Sequence, residues 1–254
     1  MKQIINGADL RRMIISAAAS IEIHKQQLNE LNVFPVPDGD TGTNMSMTLN
    51  AAADQLNKLE NPTLGRALEV TSSALLRGAR GNSGVITSLL FRGIAKGMKD
   101  ARTADGAVLA EGLKEGAATA YKAVMKPAEG TILTVARIAG DAAVKAAKKS
   151  RDPEAVLGAA IKAAKKALDE TVNQNPVLKK AGVVDAGGKG WLVALEAMLA
   201  SLQGNDVIVP EGASADVKEA ADFSDFDTDD ITFTYCTEFI IDRENNLDPE
   251  KLRE

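Results

Sequence analysis

The sequence predicts an all-α fold of eight helices, and three observations carry that expectation. Alanine is abundant, and the stretches between turns are filled with Leu, Lys, Glu and Met, side chains that lose little freedom in a helix. Prolines and glycines fall between those stretches rather than inside them. The first long stretch also carries an apolar face, with Leu10, Ile14, Ala17, Ile21, His24, Leu28 and Leu31 recurring at spacings of four and three.

That face defines a helix over 8–31. The segment 32–42, with two prolines and two glycines, cannot continue it. A second helix is expected over 43–58, ended near Asn61-Pro62. Further helices are expected over 63–79, 83–99, 105–125, 130–149, 153–172 and 186–202. Gly81, Lys126-Pro127, Arg151-Asp152-Pro153 and Asn175-Pro176 punctuate them. Short connections make neighbours largely antiparallel. The Ala/Lys-rich run 142–167 looks like an internal repeat, two helices with solvated Lys faces and small-residue packing faces. A functional basic patch is the sharper alternative.

After residue 202 the character changes. Between Asp206 and Asp230 there are nine acidic residues against a single Lys218, mixed with Gly, Ser and Pro, which reads as a linker over 203–230. Residues 231–241, ITFTYCTEFII, read as a β-strand. A lone strand cannot satisfy its own ladder. Either it pairs with another copy, as in a homodimer, or with another segment, or 231–254 opens a following domain that is truncated here. The last is the preferred expectation. The division is then 1–202 helical domain, 203–230 linker and 231–254 strand segment.

Bulk properties narrow the function. Net charge is -5, which argues against a nucleic-acid backbone as partner. Cys236 is the single cysteine, so no internal disulfide framework exists, and a cytoplasmic location is the expectation. No apolar run is long enough to span a bilayer, and MKQIINGADL lacks a signal-peptide core. His24 sits on the apolar face of the first helix and reads as a core or rim histidine. With one His and one Cys, a His-based triad or a tetrahedral zinc site has few possible builds. Cys236 reads as a strand residue.

Four loops carry chemistry. In Pro37-Asp38-Gly39-Asp40-Thr41-Gly42-Thr43-Asn44, two carboxylates one residue apart precede a helix start. Oxygen ligands so placed suit a hard cation such as Mg²⁺, and the N–H groups opening the helix suit phosphate. The plain alternative is that Asp40 or Thr41 caps the next helix. Arg77-Gly78-Ala79-Arg80-Gly81-Asn82-Ser83-Gly84 allows close backbone approach to a phosphate but is not a P-loop. It reads equally as an interhelical turn capped by Asn82 or Ser83. Val184-Asp185-Ala186-Gly187-Gly188-Lys189-Gly190 could face a flat nucleotide, or Asp185 could simply be an N-cap. Glu129-Gly130-Thr131 opens the helix at 130.

Together these loops resemble the DhaL family, the nucleotide-binding part of dihydroxyacetone kinases. The family's Asp-rich metal loop, Gly-x-Ser-Gly turn and Asp-x-Gly turn stand here as Pro37–Asn44, Gly81–Gly84 and Asp185–Gly187, in the family's order. The resemblance covers about 8–202. It is stronger still to FakA-type ATP-binding subunits of bacterial fatty acid kinases, through residues 32–44, 80–85, 181–188 and 235–239.

The resemblance implies a barrel of eight antiparallel helices with ATP or ADP and two Mg²⁺ at one end. Asp38 and Asp40 would be the catalytic metal ligands. Thr41, Gly42, Thr43 and Asn44 would line the phosphates, and Asn82, Ser83, Gly84, Gly130, Asp185, Ala186 and Gly187 would surround the nucleotide. Dihydroxyacetone kinases carry a third Asp upstream; this chain has Asn32, which would offer a carbonyl oxygen as a weaker ligand. The implied activity is transfer of the ATP γ-phosphate to a fatty acid held by a FakB/DegV-like carrier protein, giving an acyl phosphate. The isolated fragment would be inactive alone. A non-catalytic nucleotide-binding or scaffold module, and a dihydroxyacetone kinase subunit, are the rival readings.

Overall fold

A computed structural model describes residues 4–209 of the chain. The acidic residues from 210 onward and the expected strand at 231–241 lie outside the described residues. What is described is all-helical, as the sequence predicts. The elements are α1 (Gly7–Ile23), α2 (Lys25–Glu30), α3 (Thr41–Asn57), α4 (Leu64–Gly78), α5 (Gly81–Gly97), α6 (Gly106–Ala123), α7 (Ile132–Ala147), α8 (Pro153–Gln174), α9 (Pro176–Ala181) and α10 (Ala186–Leu202).

Eight of these are the expected helices; α2 and α9 are additions with local causes. The expected helix over 8–31 is interrupted at His24, whose ring Nδ1 lies 2.8 Å from the Ser20 carbonyl oxygen. The backbone recovers at once, and the Leu28 amide bonds the His24 carbonyl at 3.0 Å. At the other site, Asn175-Pro176 starts a helix as well as ending one. Asn175 accepts from the Val177 amide, Pro176 takes the first helical position, and Gly182 closes the short helix in the left-handed region.

Caps fix most of the remaining starts. Asn6 and Asp9 form a reciprocal capping box on α1. Thr63, Asp105 and Asp152 cap α4, α6 and α8.

The long helices pack in chain order around a ring: α1 on α3, α3 on α4, α4 on α5, α5 on α6, α6 on α7, α7 on α8, α8 on α10, and α10 back on α1. Each turns its apolar stripe inward. The core includes Met13, Ile14, Ile21, Met45, Leu49, Leu75, Leu90, Val135, Leu157 and Leu195, all essentially without solvent contact. Phe91 of α5 meets Trp191 of α10 edge-to-face across it, with ring centroids 5.6 Å apart. Small residues bring backbones close; a Cβ on Gly93 would stand 2.6 Å from the Gly116 Cα, so α5 and α6 touch almost backbone to backbone. The Ala/Lys run behaves as expected, with Ala143, Ala160, Ala164 and Ala167 buried while Lys145, Lys148, Lys149, Lys162, Lys165 and Lys166 are exposed.

The first residues past α10 stay on the ring. The Val207 amide donates to Ser16 Oγ at 3.2 Å, and Asp206 pairs with Arg12. No described helix is long and apolar enough to cross a membrane.

Candidate functional site

An up-and-down ring of long helices places every second helix start at the same end. The starts of α3, α5, α7 and α10 are the loops singled out above, so the topology gathers four sequence-distant segments. Direct contacts bear this out. Ser83 Oγ of α5 lies 3.5 Å from the Thr41 carbonyl oxygen of α3. At the start of α10, a Cβ on Gly187 would stand 3.3 Å from the Cβ of Ile132, the first residue of α7. α10 also packs on both α2 and α3.

The loop 31–40 is held from behind. Asn32 is buried, and its amide nitrogen donates to the Val36 carbonyl and to Asp38 Oδ1, each at 2.8 Å. Its carbonyl oxygen accepts the Thr41 hydroxyl. Both polar ends of Asn32 are therefore engaged in shaping the loop. It offers Asp38 an N–H rather than offering a cation an oxygen, so this geometry gives the expected ligand role of Asn32 no support.

Asp38 is exposed and Asp40 half-buried. Partial burial pushes the Asp38 carboxyl above its usual range, and the neighbouring Asp40 carboxylate pushes it further; the Asn32 hydrogen bond only partly offsets this. Two carboxylates that repel each other and remain near solvent could accept a divalent cation between them. The capping alternative fails for this pair. Asp40 occupies the N-cap position of α3 but makes no side-chain cap hydrogen bond. The Thr41 hydroxyl is turned to Asn32. The cap comes instead from Asn29, whose Oδ1 accepts the Thr43 amide at 3.0 Å while its Nδ2 donates to Thr43 Oγ1 at 3.0 Å. Among the described residues no cluster of three or more His, Cys, Asp or Glu could hold a metal. The remaining ligands of a cation at Asp38 and Asp40 would be phosphate oxygens and water, the usual arrangement for Mg²⁺.

At the start of α5, Arg80 supplies no side-chain cap, so neither Asn82 nor Ser83 is consumed in capping that helix. Asn82 is exposed, Ser83 half-buried and Gly84 buried. Gly81 has φ +57, and a Cβ there would stand 2.2 Å from Asn44 Nδ2. A bare glycine thus lets the α5 turn close against Asn44.

Asp185 does act as a cap. It accepts the Gly188 amide at 2.7 Å and its own amide donates to Thr171 Oγ1 at 3.1 Å. Burial pushes its carboxyl up to about 6, against the pull of the Gly188 and Ile132 amides. Asp185 and Ala186 are buried, whereas Gly187 is partly open. Of this loop, Gly187 is the residue that can approach a ligand. Gly130, also buried, has φ +73 and abuts the Asn175 backbone.

Sequence reasoning missed three parts of this end of the ring. Asn29 lay inside an expected helix. The Phe91–Trp191 contact joins distant segments. The cluster of Tyr121, Glu129, Thr134 and Arg137 behind Gly130 spans a loop and two helices. The signal available for the first was an Asn one residue from a helix end, next to a loop needing a cap.

A family model described as the DAK2 domain matches residues 35–200. Protein YloV of Bacillus subtilis is 41% identical over 244 residues, covering 93% of this chain and 44% of its own length. Uncharacterized protein SSP1546 of Staphylococcus saprophyticus is 41% identical over 241 residues with the same coverage. The chain thus spans less than half the length of these relatives. Among solved structures, the dihydroxyacetone kinase from C. freundii in complex with AMP-PNP and Mg²⁺ superposes with a TM-score of 0.60 at 21% identity, over 76% of this chain and 34% of that one. At that identity the likeness is one of fold. From the match over most of the helical ring, the chain belongs to the DAK2 domain family and has the DhaL-like fold of dihydroxyacetone kinase.

Proposed function

We propose that the helical domain binds ATP with two Mg²⁺ at the shared end of the ring, as the nucleotide-binding part of a fatty acid kinase. The observation that carries the site is the Asp38–Asp40 pair, unneutralised, with Asp40 released from capping by Asn29. The solved relative in fold was crystallised with AMP-PNP and Mg²⁺, which supports nucleotide and metal as the ligand class.

The donor set fits. Asp38 and Asp40 would hold the cations, which would offset charge on the phosphates. Thr43 and Asn44, half-buried beside them, and Asn82 and Ser83 at the start of α5 would line the phosphates and nucleotide. The buried Thr41, Gly42, Gly84, Gly130, Asp185 and Ala186 would shape the walls, and the partly open Gly187 would be free to approach the nucleotide. With little covalent chemistry asked of the protein, these residues bind, orient and exclude water.

The acceptor reading rests on the resemblance of residues 32–44, 80–85, 181–188 and 235–239 to FakA-type subunits. A carboxylate is already ionised near neutral pH. One of its oxygens would attack the γ-phosphorus as the bond to ADP breaks, giving an acyl phosphate with no proton to remove. That is consistent with a described site containing no histidine. The fatty acid would be presented by a FakB/DegV-like carrier in the cytoplasm.

The test has two stages. Calorimetry with Mg-ATP should show binding by the wild type, and a loss of at least ~100-fold in Asp38→Ala and Asp40→Ala, on the order of 3 kcal/mol. Wild-type affinity in both variants would remove the site. Phosphate transfer by the full-length protein to carrier-bound fatty acid, but not to dihydroxyacetone, then supports the acceptor. The reverse result would make it a dihydroxyacetone kinase subunit, and binding without transfer to either would favour a scaffold role.

A further inference from the structure

We propose that Glu129 is a positioning residue that sets the Gly130–Thr131 turn at the nucleotide end of α7. The proposal rests on the nucleotide-binding reading above and adds to it a residue outside the binding wall.

The connection between α6 and α7 begins loosely. Met125 is 72% exposed, and Lys126 and Pro127 are exposed too. By Gly130 the chain is buried, with φ +73 and the Asn175 amide nitrogen 3.0 Å from where a Cβ would stand. The change from free loop to fixed turn happens at Glu129. Its Oε1 accepts the Tyr121 hydroxyl of α6 at 2.8 Å. Its Oε2 accepts the Thr134 hydroxyl at 2.7 Å and Arg137 Nη2 at 2.9 Å, both from α7. Arg137 Nε also reaches the Tyr121 oxygen at 3.3 Å, and its guanidinium lies over the Tyr121 ring.

One bond in this set reaches the turn itself. Thr134 donates its only hydroxyl proton to Glu129, so its oxygen is left to accept, and it accepts the Gly130 amide at 2.9 Å. A carboxylate at 129 therefore fixes the direction of the relay from Gly130 to Thr134 to Glu129. Two residues on, Ile132 packs on Gly187, where a Cβ would stand 3.3 Å from the Ile132 Cβ, and Gly187 directly follows the Asp185–Ala186 pair that opens and caps α10. The turn behind Glu129 is thus tied to the Asp185–Gly188 turn, the neighbouring wall of the site.

The arrangement is more than the fold needs. Side chains of Arg137 and Glu129 are 44% and 54% exposed, and exposed ion pairs add little to stability. Burial alone would raise the Glu129 carboxyl, but the Thr134, Tyr121 and Arg137 donors outweigh it and hold the group below its usual range. The carboxylate form that orients Thr134 is therefore the one present at neutral pH.

The experiment compares Glu129→Ala, Glu129→Gln and, as a control for an exposed ion pair, Arg66→Ala. Each is measured for Mg-ATP affinity by calorimetry, for melting temperature, and, in the full-length protein with its acceptor, for KM and kcat. The expected result for Glu129→Ala is a ~10-fold loss of Mg-ATP affinity and a matching rise in KM, with kcat within about twofold. Glu129→Gln, which keeps an acceptor for Thr134, should recover about half of that loss on a logarithmic scale. Melting temperatures should stay within ~2 °C, and Arg66→Ala should leave every readout unchanged. Wild-type affinity in Glu129→Ala overturns the proposal. So does an affinity loss that only tracks a large fall in melting temperature and is not recovered by Gln. A wild type that binds no Mg-ATP ends the nucleotide reading and this proposal together, so the two failures are told apart by the wild-type titration.

Discussion

Asn32 donates its amide N–H to Asp38 Oδ1 at 2.8 Å, so one member of the acidic pair is held in place by a neutral side chain. The same amide nitrogen reaches Val36 O, and its oxygen takes the Thr41 hydroxyl. In Asn32→Asp both N–H donations vanish, and a third carboxylate enters beside Asp38 and Asp40. The metal-free variant should lose about 1–3 kcal/mol, from two lost hydrogen bonds and a new carboxylate at a buried position beside two others. Excess magnesium should recover more stability in the variant than in the wild type. Thermal melts with and without magnesium chloride check both halves; equal magnesium responses would count against a cation at this loop.

Asp185 gives a pH dependence of unusual sign. Its folded carboxyl titrates at about 6 against an ordinary 3.8, because burial outweighs the Gly188 and Ile132 amides. A raised folded value means the folded state holds the proton more tightly. The stability this provides is fully present below about 3.8 and is lost as pH rises through about 6. Asp185→Asn keeps an acceptor for the Gly188 amide and removes the buried charge. It should therefore match or exceed wild-type stability at pH ~7 and show less pH dependence between roughly 4 and 6. Asp185→Ala loses the cap and should cost about 1–2 kcal/mol. Denaturant unfolding across this pH range separates them; a variant Asn chain that is much weaker at neutral pH would mean the charge itself is needed.

Gly81 combines φ +57 with an Asn44 side chain where a Cβ would go. Gly81→Ala should destabilise by about 1–2 kcal/mol from the left-handed backbone alone, plus the displacement of Asn44. The accompanying loss of Mg-ATP affinity should exceed that of Gly65→Ala, a helical glycine whose Cβ would meet nothing within 4 Å. Parallel unfolding and calorimetry on the two variants decide it.

Much of this was legible in the chain because helices report themselves through spacing and punctuation. The long helices fall close to the expected ranges, and Asp152-Pro153 marks a start as a cap and a first-turn proline should. What was not legible was a matter of range. The break at His24 is a single residue in a continuous apolar face, too slight for periodicity to register. Asn175-Pro176 carries the same signal whether it ends one helix or starts another, and α9 used it for both. Capping is ambiguous in sequence for the same reason. Asp40 and Asp185 stand alike before a helix, yet Asp185 caps and Asp40 does not, because Asn29 reaches in from α2 to take the Thr43 amide.

Packing in chain order has a consequence for how the ring is made. Each helix from α3 to α8 meets a neighbour already synthesised, so most of the structure can form as the chain lengthens. The seam between α1 and α10 cannot; it waits for the last described helix. Until then the inward stripes of the first and last staves stand open, which is where an interrupted or shortened chain would stick to its copies. Met198, which lines one cavity with Leu10, Met13 and Ile14 of α1, is therefore a residue that finishes the vessel as well as fills it.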